Sequence, residues 1–480
     1  MTHPPAPEIE RTDAPLAGWI PPLALACGVL VAYGSLVPLD FRPVSFAAAW
    51  QRFSNIPYLA ISAGGRADWV ANILLFIPLA FLWCARSTGG KPSRGLKVVP
   101  VFVGCLLFAV ALEFGQVWFA PRTVSINDIL AEWIGSAIGV AIWLVRGPAL
   151  LRVCAVIAGG GTAGLVAGLS LYAGAYVLYT LMPFDFVIST REIESLIRRH
   201  GGVMPFVSPR CGDVVRCGAK SMVEVASFIP MGFLLVLIAT NRRRLPPRLA
   251  AGAAIGALAA LLIEASQIFI VSAVAQWLSV LTRTIGMTAG IYLGRSWNPA
   301  LVAKWVRIVP SLLIVAGTGY LLAVVVVIWH GGWKLEGGLA RIGTVNWLPF
   351  YYHYWTTEQA AVVSVIFNAM LYAPIGAGFW LRRFWESGGH RTELRGAGRA
   401  AAAAVLFAAI VEAARLFKAT AHPDPTNILI AAAAAALAFR GLGWCAGCLL
   451  PDAPRARARR RPIRDGAHRG PAPSRLPGLD

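Results

Sequence analysis

Residues 112–139 read LEFGQVWFAPRTVSINDILAEWIGSAIG, a short polar turn between two strongly apolar segments. The turn and its flanks carry Glu113, Gln116, Arg122 and Asp128, and each flanking segment is long enough to cross a bilayer. Ionisable side chains are costly at such depth, so they indicate a functional site by default. This stretch is therefore the starting point for both the fold and the candidate site.

The composition of the 480-residue chain is that of a membrane protein. Hydrophobic residues make up 57% of it and charged residues only 14%, whereas soluble domains are about 25% charged. The mean hydropathy is +0.64, and apolar runs of about 20 residues, the length of a membrane-spanning helix, recur along the chain. We therefore predict an all-α polytopic membrane protein.

Twelve transmembrane helices are predicted from these runs. The first run is long enough to stay in the membrane, and no cleavable signal peptide is expected before it. The predicted spans are residues 17–37, 69–85, 98–119, 127–145, 161–182, 220–239, 248–270, 274–294, 306–329, 359–381, 397–418 and 426–446.

The positive charges predict the orientation of these spans. Lys and Arg residues concentrate in the short loops after the even-numbered spans, as at Arg242–Arg244, and in the C-terminal tail. The positive-inside rule then places both termini in the cytoplasm and the 112–139 turn on the outer face of the cytoplasmic (inner) membrane. Topology accounts for most of the net charge of +20, so no nucleic-acid partner is expected.

The spans repeat in groups of four. In the second span of each group a polar residue precedes a mid-span proline by six positions: Asn72 and Pro78, Glu224 and Pro230, Asn368 and Pro374. The third span of each group carries Glu113 with Gln116, Glu264 with Gln267, or Glu412 with Arg415. We predict three parallel four-helix units, 17–148, 149–299 and 300–450, between a polar cytoplasmic N-terminus, 1–16, and a basic disordered tail, 451–480.

The first unit resembles the VanZ-like family of bacterial membrane domains. The resemblance rests on Asn72 with the run LLFIPLAF, on Glu113-x-x-Gln116, on Arg122, on the run SINDIL that contains Asp128, and on the spaced glycines of residues 135–139. It implies a four-helix domain of the cell envelope, in a family named for an accessory protein of glycopeptide resistance and also found beside envelope polysaccharide genes. The family supplies a class and a site, but no reaction.

The second and third units depart from this pattern at the turn. Ala273 and Ser279 stand where Arg122 and Asp128 would be, and the third unit has Asn427 in the Asp128 place with His422 nearby. Only the first unit has the full set. The copies around Glu264 and Glu412 are therefore expected to be scaffold.

The cluster of Asn72, Glu113, Gln116, Arg122 and Asp128 has three open interpretations. It is a structural network in which Arg122 bridges two carboxylates, or a binding site in which Arg122 holds an anionic headgroup while Glu113 and Gln116 contact hydroxyls or amines, or an acid/base pair acting on a lipid-linked substrate. No Ser-His-Asp set, metal set or phosphate loop accompanies it. Binding is favoured over catalysis, and the structural network stays open beside it.

The predicted ligand is a membrane lipid or lipid-linked envelope precursor, with no cofactor and no metal. A transporter is the remaining alternative, although the threefold repeat does not fit the usual two halves of six spans. Cys211 and Cys217 share one predicted outer loop and are expected to form a disulfide. The Arg-rich tail is expected to lie against anionic lipid.

The predicted topology is testable with one cysteine. Thr123→Cys in the outer turn is expected to react with a membrane-impermeant maleimide added to intact cells, above the background of the parent chain. Lys91→Cys, in the loop predicted to be cytoplasmic, is the matched control and is expected to react only after lysis. Labelling of Thr123→Cys only from the cytoplasmic side would refute the orientation.

Overall fold

The structure is a computed structural model of the chain. It describes residues 18–58, 63–90, 96–199, 214–273, 275–329, 338–387, 396–418 and 422–450. The predicted N-terminal segment 1–16 and the tail 451–480 lie outside the described residues.

The described part of the chain is almost entirely helical. Its elements are, in chain order, α1 Ile20–Leu36, β1 Asp40–Phe41, α2 Phe46–Ser54, α3 Ala63–Ser87, α4 Val99–Gln116, β2 Phe119–Ala120, α5 Ile126–Gly159, α6 Gly161–Thr180, α7 Thr190–Arg199, α8 Val214–Asn241, α9 Leu249–Gln267, α10 Trp277–Ser296, α11 Pro299–Trp329, a 3₁₀ turn Leu339–Thr344, α12 Tyr351–Tyr354, α13 Glu358–Glu386, α14 Ala397–Arg415 and α15 Thr426–Leu449.

The prediction of an all-α polytopic membrane protein is confirmed. Each predicted span has one counterpart among the long helices, and α2, α7 and α12 are short helices between spans. Among the described residues, nine helices are both long and apolar enough to cross a membrane. The apolar helix α1 and the apolar part of α11 are shorter than that criterion requires.

The fourth helix of each of the first two units packs closely on the second helix of the same unit. A Cβ atom on Gly135 would collide with the carbonyl oxygen of Ile73 and lie 3.0 Å from the Cβ atom of Phe76. In the second unit Gly286 meets the carbonyl oxygen of Val225 in the same way. Small residues four apart let membrane helices approach to backbone contact, and here they bring α5 against α3 and α10 against α8.

Two short loop contacts fix the turn that leads into α5. Strands β1 and β2 pair antiparallel, with Phe41 opposite Phe119. The backbone N–H of Arg42 also donates to the carbonyl of Trp118 at 2.7 Å. In the second unit a single bridge between Phe186 and Ile270 lies at the same place in the chain order. These pairings hold the turn to the loop that follows the first helix of its unit.

Helix α5 continues well beyond its predicted end. It runs through Pro148 to Gly159, where Gly160 takes a φ of +71° and separates it from α6. A positive φ is readily available only to glycine, which explains the break at this position. The predicted unit boundary at residue 148 therefore falls inside a continuous helix, and the boundaries of the three units stay predictions.

Side chains also join the units to one another. Arg66 of α3 pairs with Glu192 of α7 at 2.6 Å, and this bond lowers the pKa of the Glu192 carboxyl from its ordinary value. The indole of Trp444 in α15 donates to the carbonyl of Ile157 at 2.8 Å. In the predicted outer loop, Cys217 is disulfide-bonded, whereas its predicted partner Cys211 lies outside the described residues.

The helix contact at Gly135 gives a stability prediction. Gly135→Ala is expected to destabilise the protein by about 1–3 kcal/mol, because the added methyl group has no room against Ile73 and Phe76. Gly104→Ala in α4 is the matched control, since nothing lies within 4 Å of its added Cβ atom, and it is expected to be neutral or up to about 1 kcal/mol stabilising. Denaturant unfolding in micelles measures both. Equal stabilities would contradict the close contact.

Candidate functional site

The polar turn ends in a capped helix start. Ser125 precedes α5, and its Oγ accepts the backbone N–H of Asp128 at 3.2 Å while donating its own proton to Asp128 Oδ2 at 2.6 Å. A serine at this position satisfies a helix N–H group that has no partner within the helix. The carboxylate in the first turn also faces the positive end of the helix dipole. The Ser-x-x-Asp sequence therefore places Asp128 at a fixed point beside the turn.

Glu113 clamps the turn to the preceding helix. Its side chain is fully buried near the end of α4, and its Oε1 accepts the backbone N–H of Ser125 at 2.6 Å. Its Oε2 is buried without a hydrogen-bond partner. Gln116, also buried, lies one turn further along the same helix. The Oε1 atom of Glu113 therefore has a structural role, whereas its Oε2 atom makes no hydrogen bond to the described residues.

The same clamp occurs in all three predicted units. Glu264 Oε2 accepts the backbone N–H of Gln276 at 2.5 Å, and Glu412 Oε2 accepts that of Asp424 at 2.8 Å. Each acceptor and donor are twelve residues apart, as in the first unit. The recurrence explains why a glutamate stands at this position even where the rest of the polar turn differs.

Arg122 does not make the ion-pair bridge that a structural network would require. Its guanidinium donates to the carbonyl of Gly34 and lies 4.6 Å from the centre of the Tyr354 ring. Among the described residues no carboxylate lies within 4.0 Å of it, and its Nε is buried without a partner. Burial lowers the pKa of this guanidinium and nearby acidic groups oppose the shift, so Arg122 stays a cation at neutral pH.

Asn72 and Trp69 connect α3 to the start of α5. The amide of Asn72 donates to Asp128 Oδ1 at 2.9 Å, and the Trp69 indole donates to the carbonyl of Asn127 at 3.0 Å. Asp128 therefore has both carboxylate oxygens bonded, one to Asn72 and one to Ser125. The predicted site residues thus come together from three helices and one turn.

Glu132 is a member of the cluster that was not predicted. It lies one turn after Asp128 in α5, its residue is 2% exposed, and its Oε2 has no partner. It is near enough to Glu113 and Asp128 for their charges to interact. The signal was in the sequence, since a second carboxylate four residues after the first falls on the same helix face inside an apolar span.

The assembled site has mixed, unfilled hydrogen-bonding capacity. A buried donor, Arg122 Nε, accompanies two buried acceptors, Glu113 Oε2 and Glu132 Oε2. Buried polar atoms are nearly always paired, so unpaired ones call for an explanation. Within the described residues no group of three His, Cys, Asp or Glu side chains is placed to hold a metal ion. The expectation that no cofactor is used stays a prediction.

The fold and this cluster define a class: a multi-pass integral membrane protein with a polar site between packed helices. A family model described as VanZ/LLP1 matches residues 27–147 and again residues 163–298, together more than half of the chain. The chain therefore belongs to the VanZ/LLP1 family, and the two matches are consistent with tandem VanZ-like domains. Family membership supports an envelope-associated membrane protein.

The third predicted unit lies outside both matched segments. Comparisons with curated proteins and with solved structures gave no match. The site is therefore argued from its own geometry.

The clamp at Glu113 can be separated from any binding role by two substitutions. Glu113→Ala is expected to cost about 1–3 kcal/mol of stability, because the buried N–H of Ser125 loses its partner. Glu113→Gln keeps an acceptor oxygen and is expected to fold with near wild-type stability. Thermal unfolding of the purified protein in micelles compares them. Equal destabilisation by both variants would mean that the charge, rather than the hydrogen bond, holds the turn.

Proposed function

We propose that this protein binds an amphiphilic envelope molecule, such as a lipid-linked precursor, through an anionic group of that molecule. The proposal rests on one observation: Arg122 and Glu132 both lie near Glu113, and each of the three has a buried polar atom with no partner among the described residues. A ligand with an anionic group and nearby hydroxyls or amines supplies both kinds of missing partner. The site is then on the outer face of the cytoplasmic membrane, with both termini in the cytoplasm.

The chemistry of the cluster favours this class of ligand. A guanidinium binds phosphate or carboxylate through two parallel hydrogen bonds, and Arg122 has no competing ion pair within 4.0 Å among the described carboxylates. The free oxygens of Glu113 and Glu132 accept hydrogen bonds from hydroxyl or amine groups. Trp118 and Trp133 near the turn suit the membrane interface, where indole rings concentrate.

The third predicted unit covers this site. Tyr354 lies over the Arg122 guanidinium, and the Tyr33 hydroxyl donates to the carbonyl of Pro349 at 2.6 Å. Tyr354 contacts the face of the guanidinium, so a phosphate that binds in the plane of Arg122 can keep this contact. In this proposal the segment around Tyr354 limits access of the ligand to one face of Arg122. The protein then acts in glycopeptide resistance or in the handling of envelope polysaccharide or lipid.

A second candidate function is acid/base catalysis on a lipid-linked substrate. It is favoured by the three neighbouring carboxylates of Glu113, Asp128 and Glu132, because a pair of carboxyl groups can divide the roles of general acid and general base. Lipid analysis of a deletion strain distinguishes the two functions. Loss or accumulation of one envelope lipid supports catalysis, whereas altered glycopeptide tolerance with unchanged lipids supports binding.

The binding proposal predicts the behaviour of Arg122 variants. Arg122→Ala is expected to weaken ligand binding at least tenfold and to remove any resistance phenotype while the protein still inserts. Arg122→Lys keeps the charge without the two-pronged donor and is expected to retain part of the activity. Glu113→Gln is expected to lose function as a folded protein. Normal function in both Arg122→Ala and Glu113→Gln would refute the site assignment.

A charge exchange tests the competing structural interpretation. If Arg122 serves only to pair with a carboxylate, Arg122→Asp combined with Asp128→Arg should restore full function. The binding proposal expects the double variant to stay inactive, because the ligand then meets a carboxylate where it needs a guanidinium. Insertion and monodispersity of the double variant are measured in parallel, so that a folding failure is recognised.

A further inference from the structure

A second polar site lies in the second predicted unit, around a cavity of about 700 Å³. The cavity is formed by α6, α8, α9, the α9–α10 turn and α10, and it is closed on one side by α13 of the third unit. Its polar wall consists of Tyr176, Lys220, Glu224, Ser227, Glu264, Gln267, Gln276, Ser279 and Arg283.

The acidic groups of this wall are already satisfied. Arg283 pairs with Glu264 Oε1, and the other Glu264 oxygen accepts the backbone N–H of Gln276. Glu224 Oε1 accepts from Ser279 at 2.8 Å, and its Oε2 accepts from the Thr282 hydroxyl at 2.5 Å. All four carboxylate oxygens therefore have a partner within the protein.

The hydrogen-bonding groups of this wall that still lack a partner are donors. Arg283 is 4% exposed, and its Nε is buried without a partner among the described residues. The Lys220 ammonium bonds to the Gln276 side chain and lies 3.6 Å from Glu224, and the Lys220 side chain is 49% exposed. An ammonium carries three donors, so Lys220 retains capacity for a further acceptor. A ligand for this wall must bring acceptor oxygens.

The opposite wall is apolar. It is supplied by α13 of the third unit, whose lining residues are Val362, Val363, Phe367, Met370 and Leu371, with the polar Gln359 at one end. A cavity with cationic donors on one side and aliphatic side chains on the other matches an amphiphile with an anionic head. Its volume is in the range of pockets that enclose small molecules.

The two units carry different charges at equivalent positions. Gly135 and Gly286 make the same backbone contact, to Ile73 and Val225 respectively, which aligns the two helix pairs. Glu132, three residues before Gly135, then corresponds to Arg283. Asp68, five residues before Ile73, corresponds to Lys220. Glu132 of the first cluster, and Asp68, whose charge acts on Arg122 and Asp128, are thus replaced by cations in the second unit.

We propose that this cavity is a second binding site and that it takes a phosphate-bearing lipid. In this site the phosphate accepts hydrogen bonds from the Lys220 ammonium and from the Nε–H group of Arg283. The apolar chain of the lipid lies along α13. In this proposal the copy around Glu264 is not only scaffold but a site whose unfilled groups are donors, whereas the first site also has unfilled acceptors. A phospholipid and a polyprenyl phosphate share this chemistry.

Lipid binding by the purified full-length protein tests the proposal. The protein in a neutral detergent is titrated with lysophosphatidylglycerol, with a polyprenyl phosphate, and with a monoacylglycerol that lacks phosphate, and bound lipid is counted by native mass spectrometry. Wild type is expected to bind a phosphorylated lipid saturably and at least tenfold more tightly than the monoacylglycerol. The tighter of the two phosphorylated lipids identifies the source of the phosphate.

Three variants locate that binding. Lys220→Gln is expected to weaken it at least tenfold, and Val363→Trp, which fills the cavity, is expected to abolish it. Leu406→Trp on α14 is the matched control, since Leu406 is 66% exposed and does not line the cavity, and it should bind as wild type does.

The proposal is overturned by equal binding of the monoacylglycerol, or by wild-type binding in both cavity variants, which would assign the lipid to another site. If Val363→Trp does not fold, Lys220→Gln decides alone, because half of its side chain is already outside the packed interior.

Discussion

One hydrogen bond, repeated three times, holds this protein's polar turns in place. A buried glutamate near the end of a helix accepts the backbone N–H of the residue twelve positions later, at Glu113, Glu264 and Glu412. Without it each turn would leave a backbone donor unpaired in an apolar interior. The clamp fixes where the following helix begins, and therefore which of its side chains face the preceding helices.

This hydrogen bond does not constrain the charge of the other side chains around each turn. In the first unit one arginine lies near several carboxylates without pairing with any described one, whereas in the second Arg283 and Lys220 form ion pairs with Glu224 and Glu264. The helix contacts at Gly135 and Gly286 are the same in both, so the scaffold tolerates the exchange. One fold thus presents two polar sites with different unfilled partners, which is the physical basis for proposing two ligands.

Contacts between units complete both sites. Tyr354 of the third unit covers Arg122 of the first, and α13 of the third unit closes the cavity of the second. The third unit therefore supplies walls to its neighbours. Its helices thus contact both polar sites even though the family match does not reach them.

The helical class and the family resemblance follow from the sequence alone, because apolar length and spaced motifs are local properties. The sequence also indicated Glu113, Arg122 and Asp128, since charges in apolar spans are rare. It did not reveal that Arg122 bonds to Gly34 and Tyr354 rather than to carboxylates, that Glu132 joins the cluster, or that α13 closes a cavity. Those features depend on distances between segments far apart in the chain, which only tertiary packing decides.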